Sequence, residues 1–335
     1  MNRRFGVWIL LALTAVCVPL RSPAPLIYTP GEGWYYEPYG ETAQWQRKRA
    51  KDQLQVAEDA FAAKNYSLTL RAAHRVLRVW PQSDYAPRAE YLIGRSLEIK
   101  GKDEAAFDAY QHIIEKYPKS AQYNEVLWRQ YEIAGRFLDG EFFKLWNLIP
   151  LYTSMDQTAK LYDKIVANGP YSEVAPHAQL NVGAAREKEE NYEDAVKAYN
   201  TAADRYNNQP LVAADAMYRA AVSWQKQSDT AEYDQNAAAQ AIAAYTDFTV
   251  VFPEDKRVAK AQAAIAKLKA EQVRGSFEIA KFYEKSRKWA GAIIYYNDVL
   301  QLDPNSPLAV QARQRIDVLK PRLQATPQTP ATPQK

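Results

Sequence analysis

The sequence has little cysteine and glycine and only a small net charge, and each of these excludes or disfavours particular folds and binding sites. One cysteine in 335 residues excludes an intramolecular disulfide and any metal site built from several thiolates. Twelve glycines fall well below the average of about 7%, which disfavours glycine-turned β-sandwiches and phosphate-binding loops. The formal net charge is only +4, so the chain lacks the strong positive charge typical of nucleic-acid-binding proteins. We therefore expect packed helices and no nucleic-acid partner.

Residues arranged for catalysis are also scarce. The three histidines, His74, His112 and His177, are far apart in the sequence and have no partner at metal-ligand spacing. Neither a glycine-rich nucleotide loop nor a Gly-x-Ser-x-Gly elbow occurs. The acidic clusters alternate with basic residues, which is typical of a solvated helix face. The sequence predicts a protein that is not an enzyme, with no catalytic residues, no metal site and no cofactor.

One apolar run lies near the N-terminus, after Arg3 and Arg4. It spans residues 7–16, and Pro19 and Arg21 follow soon after it. A membrane-spanning helix needs about 20 apolar residues, so this run has the length of a signal peptide instead. We expect residues 1–17 to be an export signal.

The lone cysteine, Cys17, follows this apolar run directly. Its position resembles that of the acylated cysteine of a bacterial lipoprotein, with residues 13–16 as the lipobox. Val16 departs from that pattern, in which the preceding residue is usually Gly, Ala or Ser. Three outcomes stay open. Acylation of Cys17 would anchor the protein in the outer membrane, and general signal peptidase would remove the segment without leaving an anchor. The third is that the segment stays in place as an uncleaved N-terminal anchor.

The two ends of the remaining chain differ in composition from its middle. Residues 18–50 are rich in proline and tyrosine, and we expect them to lie extended against the body, with a disordered linker as the alternative. Residues 320–335 include a Pro/Thr/Gln repeat that cannot bury a core, which predicts a disordered tail. Residues 51–319 are left as the folded body.

A repeated pattern organises this body. A small residue is followed four positions later by tyrosine, and soon after by a proline that ends a helix. Three such sets are Ala106, Tyr110 and Pro118; Ala241, Tyr245 and Pro253; and Ala292, Tyr296 and Pro304. A second amphipathic run precedes each set, with a small residue such as Gly94 or Gly183. The pattern resembles the tetratricopeptide repeat, a helix–turn–helix unit of about 34 residues.

The resemblance to this repeat implies an all-α fold, a right-handed superhelix (α-solenoid) of about six degenerate repeats and about a dozen helices. The closing prolines lie farther apart than about 34 residues, so the repeats carry inserts. One insert is predicted to be an additional helical run over 258–273. Residues 308–319 are predicted to cap the last repeat, because the final apolar face of a repeat array must be covered.

In this repeat the first helix of each unit lines the concave face. That placement implies a groove for a partner or substrate peptide, in which arginines would grip carboxylates or backbone carbonyls and aromatic rings would supply apolar area. Ordinary solvated helix residues are the alternative interpretation. The predicted groove residues are Arg88, Tyr91, Arg95, Glu98, Trp128 and Glu132.

Four segments carry a closer resemblance. They are residues 57–61 leading into Asn65 and Tyr66, residues 117–120, residues 169–172 and residues 279–285. Over roughly 51–319 the chain is similar to the BamD family (also called YfiO or ComL) of outer-membrane assembly lipoproteins.

This family resemblance implies a periplasmic scaffold at the outer membrane. Its expected partners are the periplasmic domains of a β-barrel insertase and unfolded outer-membrane proteins or peptides. The N-terminal repeats would contact substrate, and the insertase would dock on a surface formed by Phe282, Tyr283, Trp289 and Tyr296. A periplasmic repeat protein that organises cell-wall or division complexes is the alternative, and a subunit presenting an enzyme to its substrate is a third hypothesis.

Overall fold

The structure, a computed structural model, describes residues 26–29, 33–36, 45–141, 143–145, 149–152, 154–230 and 235–325. The predicted signal peptide with Cys17, and residues 326–335 of the predicted tail, lie outside these ranges. So does most of the proline- and tyrosine-rich segment. The repeat body is described almost completely.

Thirteen α-helices make up most of the described residues. They are α1 (Ala50–Ala62), α2 (Tyr66–Val79), α3 (Ala86–Ile99), α4 (Asp103–Lys116), α5 (Tyr123–Leu138), α6 (Met155–Asn168), α7 (Ala175–Lys188), α8 (Tyr192–Arg205), α9 (Pro210–Thr230), α10 (Gln235–Val251), α11 (Val258–Lys285), α12 (Trp289–Leu302) and α13 (Pro307–Ala325). Helices α1 to α12 form six consecutive pairs, in which we call the first helix A and the second helix B. The predicted all-α tetratricopeptide-repeat class is confirmed.

Four short strands are the only strands in the described part of the chain. Strand β1 (Leu26–Thr29) pairs antiparallel with β2 (Gly33–Tyr36), so that Tyr28 lies opposite Trp34. Strands β3 (Phe143–Leu145) and β4 (Ile149–Tyr152) form a second two-stranded sheet inside the insert between α5 and α6. The sequence predicted that the repeats carry inserts, and this insert contains a short sheet.

The chain forms two compact units. The first unit runs to Arg129 and also holds Lys144–Ile149, and the second holds Gln130–Phe143 and all described residues from Pro150 onward. Repeat 2 (α3 and α4) lies in the first unit, and repeat 6 (α11 and α12) lies in the second. Each unit has its own apolar clusters, built from alanine with larger aliphatic and aromatic side chains.

The turn from helix A to helix B is a local motif that recurs along the chain. One residue of the turn adopts positive φ, at Lys64, Gly101, Glu190 and Arg287, with φ between 56° and 65°. Left-handed backbone costs a non-glycine residue about 1–2 kcal/mol, so three of these turns are strained. They persist because packing of the two helices fixes the chain on both sides.

The helical run predicted over 258–273 is present, and it forms the first part of a longer helix. Helix α11 continues without a break from Val258 to Lys285, because no proline lies within it and one face stays buried from Ala261 to Ala280. Gly275 inside α11 lowers helix propensity by about 1 kcal/mol but does not end the helix.

The cap helix is longer than predicted. Helix α13 begins at Pro307 and ends at Ala325, with Pro321 inside it. Residues 320–325, which the sequence analysis placed in the tail, are therefore helical. Ala309, Ala312, Ile316 and Leu319 are buried and belong to the apolar cluster of repeat 6, so this helix covers the last repeat.

Two negative findings concern the described residues only. None of their helices has both the length and the apolar character needed to cross a membrane. The same residues contain no cluster of three or more His, Cys, Asp or Glu side chains suited to a metal ion.

Candidate functional site

The closing tyrosine of helix B packs directly on a small residue of helix A. A Cβ atom added to Gly94 would lie 2.4 Å from Cε1 of Tyr110, and one added to Gly183 would lie 2.4 Å from Cε1 of Tyr199. Both tyrosine rings are fully buried. The sequence pattern of small residues and tyrosines therefore corresponds to a direct contact between helix A and helix B.

In three repeats the hydroxyl of the closing tyrosine donates a hydrogen bond to a glutamate of its own A helix, whereas Tyr245 of repeat 5 donates to Gln225. Tyr110 Oη lies 2.8 Å from Glu98 Oε2, and Tyr199 Oη lies 3.0 Å from Glu187 Oε2. In repeat 6, Tyr296 Oη lies 2.9 Å from Glu284 Oε2. Sequence reasoning missed this bond, although each glutamate stands twelve residues before its tyrosine.

Two of these glutamates also form an ion pair with a cation outside their own repeat. Lys226 of α9 forms an ion pair with Glu187 of α7, and Arg315 of α13 forms one with Glu284 of α11. Each of these two carboxylates thus binds a tyrosine of its own repeat and a cation from the helix that follows that repeat. Such charge-assisted bonds contribute about 1.5–3 kcal/mol each where the groups are shielded from water.

In the predicted groove on repeat 2, the side chains of Arg88 and Tyr91 already have partners within the first unit. Arg88 Nε lies 3.0 Å from Glu58 Oε1, and its guanidinium carbon lies 5.3 Å from the centre of the Tyr91 ring. Tyr91 is only 7% exposed, and its hydroxyl donates a hydrogen bond to Glu125. Tyr91 therefore supplies little apolar surface to a ligand, unlike the expectation.

The other predicted groove residues differ in how accessible they are. Arg95 Nη1 lies 3.2 Å from Glu98 Oε2, the same oxygen that accepts the hydrogen bond from Tyr110. Burial and the Glu98 carboxylate both raise the pKa of Tyr110, burial more. Trp128 on α5 is 39% exposed, and Glu132 on the same helix is also exposed. Of the six residues, these two present the most accessible surface.

A larger opening lies in the second unit, between α11, α12 and the cap helix α13. We call it the C-terminal cleft; its volume is 840 Å³. Its lining residues come from the second half of α11, the turn after it, and both following helices: Phe277, Glu278, Lys281, Phe282, Glu284, Lys285, Arg287, Trp289, Tyr296, Gln311, Gln314, Arg315 and Arg322.

An ion pair fixes one wall of the C-terminal cleft. Arg315 Nε lies 3.1 Å from Glu284 Oε2, and a second nitrogen of this guanidinium contacts the other carboxylate oxygen. Arg315 lowers the pKa of Glu284, and the hydrogen bond from Tyr296 adds to that shift. Burial and the Glu284 carboxylate raise the pKa of Tyr296 to about 12, so its hydroxyl stays a donor at neutral pH.

The mouth of the cleft combines cations with aromatic rings. The guanidinium carbon of Arg322 lies 5.6 Å from the centre of the Trp289 ring, a distance typical of a cation–π contact. The side chains of Lys285 and Arg287 are exposed, and no carboxylate of the described residues pairs with them. The Phe282 ring is 66% exposed. Lys285, Arg287 and Phe282 can therefore contact a ligand without first breaking an ion pair among the described residues.

The four residues predicted as a docking surface have different positions. Phe282 and Trp289 line the cleft. Tyr283 does not; its ring stacks on Tyr295 with the centres 5.3 Å apart. Tyr296 is 1% exposed, because as the closing aromatic of repeat 6 it packs in the core with Phe277 and Ala280. Tyr296 also contributes to the lining of the cleft, but it offers a partner almost no accessible surface.

Comparison with known proteins agrees with the repeat, and two family models match parts of the chain. A family model for the tetratricopeptide repeat matches residues 88–120, which contain most of repeat 2. The fold is that of tetratricopeptide-repeat proteins. A second family model, described as YfiO, outer membrane lipoprotein, matches residues 153–312. That range includes Phe282 and Trp289 of the C-terminal cleft. No curated protein matches the chain.

Solved structures with similar folds are also tetratricopeptide-repeat proteins. The C-terminal part of a repeat protein from Cytophaga hutchinsonii is 16% identical over 79% of this chain and 87% of its own, with a TM-score of 0.37. A repeat protein from Bacteroides fragilis is 16% identical over 82% of this chain and 100% of its own, with a TM-score of 0.38. The protein YrrB, described as having an unusual peptide-binding site, is 12% identical over 64% of this chain and 92% of its own, with a TM-score of 0.35.

Proposed function

We propose that the protein is a periplasmic scaffold of the machinery that assembles outer-membrane β-barrel proteins. The observation that carries this proposal is the match of residues 153–312 to the outer membrane lipoprotein family, on a tetratricopeptide-repeat fold. A scaffold of this kind binds partner proteins and needs neither a metal nor a cofactor. The proposed location is the periplasmic face of the outer membrane, with an acyl chain on Cys17 as the anchor.

The C-terminal cleft is the proposed docking site for the periplasmic domains of the β-barrel insertase. Its open volume of 840 Å³ and the exposed Phe282 support this role, because exposed aromatic side chains are enriched among residues that dominate protein interfaces. Rings that project from a structured helix also lose little conformational freedom on binding.

The repeats of the first unit are the proposed contact for unfolded barrel substrates. A substrate carboxylate would compete there with Glu58 for Arg88 and with Glu98 for Arg95. Competition of that kind gives weak and reversible binding, which suits a chain that must be passed on. Trp128 supplies exposed aromatic surface beside this groove.

Depletion of the protein in its source cell tests the scaffold role. We expect the levels of many outer-membrane β-barrel proteins to fall together, measured by quantitative mass spectrometry of isolated membranes. Unchanged barrel-protein levels accompanied by altered cell shape would contradict the proposal and favour the role in cell-wall or division complexes.

A site-specific crosslink tests the docking site. With a photoreactive amino acid at position 282, we expect the protein to crosslink to the β-barrel insertase in intact cells. The same amino acid at position 269 is the control, since Lys269 is exposed on the same helix but does not line the cleft. Equal crosslinking from both positions would contradict docking in the cleft.

A further inference from the structure

The charges lining the C-terminal cleft do not cancel. Five lining residues are cations, namely Lys281, Lys285, Arg287, Arg315 and Arg322, whereas only Glu278 and Glu284 are anions. Both anions are already engaged: Lys281 Nζ lies 3.0 Å from Glu278 Oε1, and Arg315 pairs with Glu284. The positive charges of Lys285 and Arg287 are therefore left without a carboxylate partner among the described residues.

Aromatic surface lies beside these cations. The exposed Phe282 ring is on α11 with Lys285, and Trp289 follows Arg287 at the start of α12. Arg322 from α13 approaches the Trp289 ring. A ligand that enters the cleft therefore meets positive charge and apolar rings together.

From this arrangement we infer that the C-terminal cleft binds an acidic peptide segment that carries an aromatic or large aliphatic side chain. Aspartate or glutamate side chains of the segment form charge-assisted hydrogen bonds with Lys285 and Arg287. Its apolar side chain packs against Phe282 and Trp289, which removes their exposed carbon atoms from water. The inference rests on the proposed docking role of the cleft and specifies the chemistry of the segment that docks.

The positive charge of the cleft also disfavours other peptides. A lysine-rich segment would bring like charges against Lys285 and Arg287, and a neutral segment would cover them without replacing their contacts with water. The cleft thus selects its ligand by repulsion as well as by attraction.

The direct test uses fluorescence anisotropy with the full chain and a labelled peptide of about 12 residues that contains aspartates, glutamates and one central tryptophan. We expect this peptide to bind at least about tenfold more tightly than the same peptide with lysine at every acidic position. Its affinity should fall as salt is raised, because its contacts are partly ionic. Replacement of the tryptophan by serine should also weaken binding.

The variant that tests the assignment to this cleft is Lys285→Glu combined with Arg287→Glu. Glutamate is suited to the positive-φ turn, since Glu190 occupies the equivalent turn of repeat 4 with a φ of 61°. We expect the double reversal to weaken binding of the acidic peptide by at least about tenfold. Lys260→Glu with Lys269→Glu is the matched control, because both lysines are exposed on α11 outside the cleft.

Three results would overturn the inference. The first is equal affinity for the acidic and lysine peptides, and the second is an equal loss of binding in the two double variants. The third is binding to vesicles of anionic phospholipid that depends on Lys285 and Arg287 more strongly than peptide binding does. Circular dichroism of each variant verifies that the helices are intact.

The outcome separates this inference from the proposed function. If the acidic peptide binds as expected but depletion leaves barrel-protein levels intact, the cleft chemistry stands and the assembly role is wrong. If depletion lowers barrel proteins but the cleft shows no preference for acidic peptides, the assembly role stands and this inference is wrong.

Discussion

Repeats 2 and 6 share one internal design but differ in what they offer to a partner. In both, the hydroxyl of a closing tyrosine donates a hydrogen bond to a glutamate of helix A: Tyr110 to Glu98 and Tyr296 to Glu284. In repeat 2 the arginines of helix A pair with carboxylates inside the first unit. In repeat 6 the glutamate is paired by Arg315 from the cap helix, and cations remain exposed at the cleft.

The difference shows that the fold of the repeat does not by itself determine its binding surface. The small residue, glutamate and tyrosine hold the two helices together. Neighbouring residues determine whether the charged side chains of helix A have partners of opposite charge. In repeat 2, Arg88 pairs with Glu58 of α1 and Arg95 pairs with Glu98. Repeat 6 places Lys285 and Arg287 where no described carboxylate reaches them.

The largest effect is expected at the small residue that touches the tyrosine. Gly94→Ala should lower the free energy of unfolding by about 1–3 kcal/mol, because the new Cβ would lie 2.4 Å from a fully buried ring. Repeat 6 already carries alanine at the equivalent position, Ala280, so Ala280→Gly should cost about 1 kcal/mol through helix propensity alone. Urea denaturation of the full-length variants measures both.

A matched glycine separates overpacking from a general effect of alanine. The nearest atom to a Cβ added at Gly135 is the Tyr162 hydroxyl oxygen, 3.8 Å away. Gly135→Ala should therefore leave stability unchanged or raise it by up to about 1 kcal/mol. Equal destabilisation by Gly94→Ala and Gly135→Ala would show that the contact with the tyrosine ring is not the cause.

The sequence predicted the helix pairs well because their contacts are local. Gly94 and Tyr110 lie within one repeat, so their spacing recurs in the sequence and reveals the packing. The Glu98–Tyr110 hydrogen bond has the same spacing as its counterpart in repeat 6, so the positions of the two glutamates in the sequence also indicate this bond. The helical run over 258–273 was also predicted, and the structure adds that it continues to Lys285 as one helix.

The C-terminal cleft could not be derived in the same way. Its lining extends from Phe277 to Arg322 and comes from three helices, so its charge balance depends on how α13 packs after repeat 6. No repeated spacing predicts that Arg315 neutralises Glu284 while Lys285 is left exposed. Phe282 and Trp289 were chosen from a family resemblance, and that resemblance did not distinguish them from the buried Tyr296.

A smaller effect is expected from the glutamate of repeat 6. Glu284→Gln should lower the free energy of unfolding by about 1–2 kcal/mol at neutral pH, because it removes the charge that Arg315 and Tyr296 bind. The pKa of Glu284 is lowered in the folded state, chiefly by Arg315, so its contribution is complete above the unfolded pKa. It is lost as the pH falls through the folded pKa, and urea denaturation across acidic pH should show the two proteins converging.

Two controls sharpen this comparison of the repeats. Glu98→Gln should cost a similar amount, since Glu98 also binds a tyrosine and an arginine. Glu271→Gln should change stability by less than about 0.5 kcal/mol, because its pair with Lys267 is exposed and 3.7 Å long. A stability loss in Glu284→Gln that stays constant into acid would show that the carboxylate charge is not responsible.

The smallest effect on stability, and the sharpest separation of fold from function, is expected at the turn between helices A and B. Arg287→Gly should raise the free energy of unfolding by up to about 1 kcal/mol, because glycine removes the strain of positive φ but is more flexible when unfolded. Glu190→Gly should do the same, since its φ is 61° against 56° at Arg287. Only Arg287→Gly should also weaken binding of the acidic peptide in the anisotropy assay. If Glu190→Gly weakened it equally, turn flexibility rather than the Arg287 charge would account for the loss.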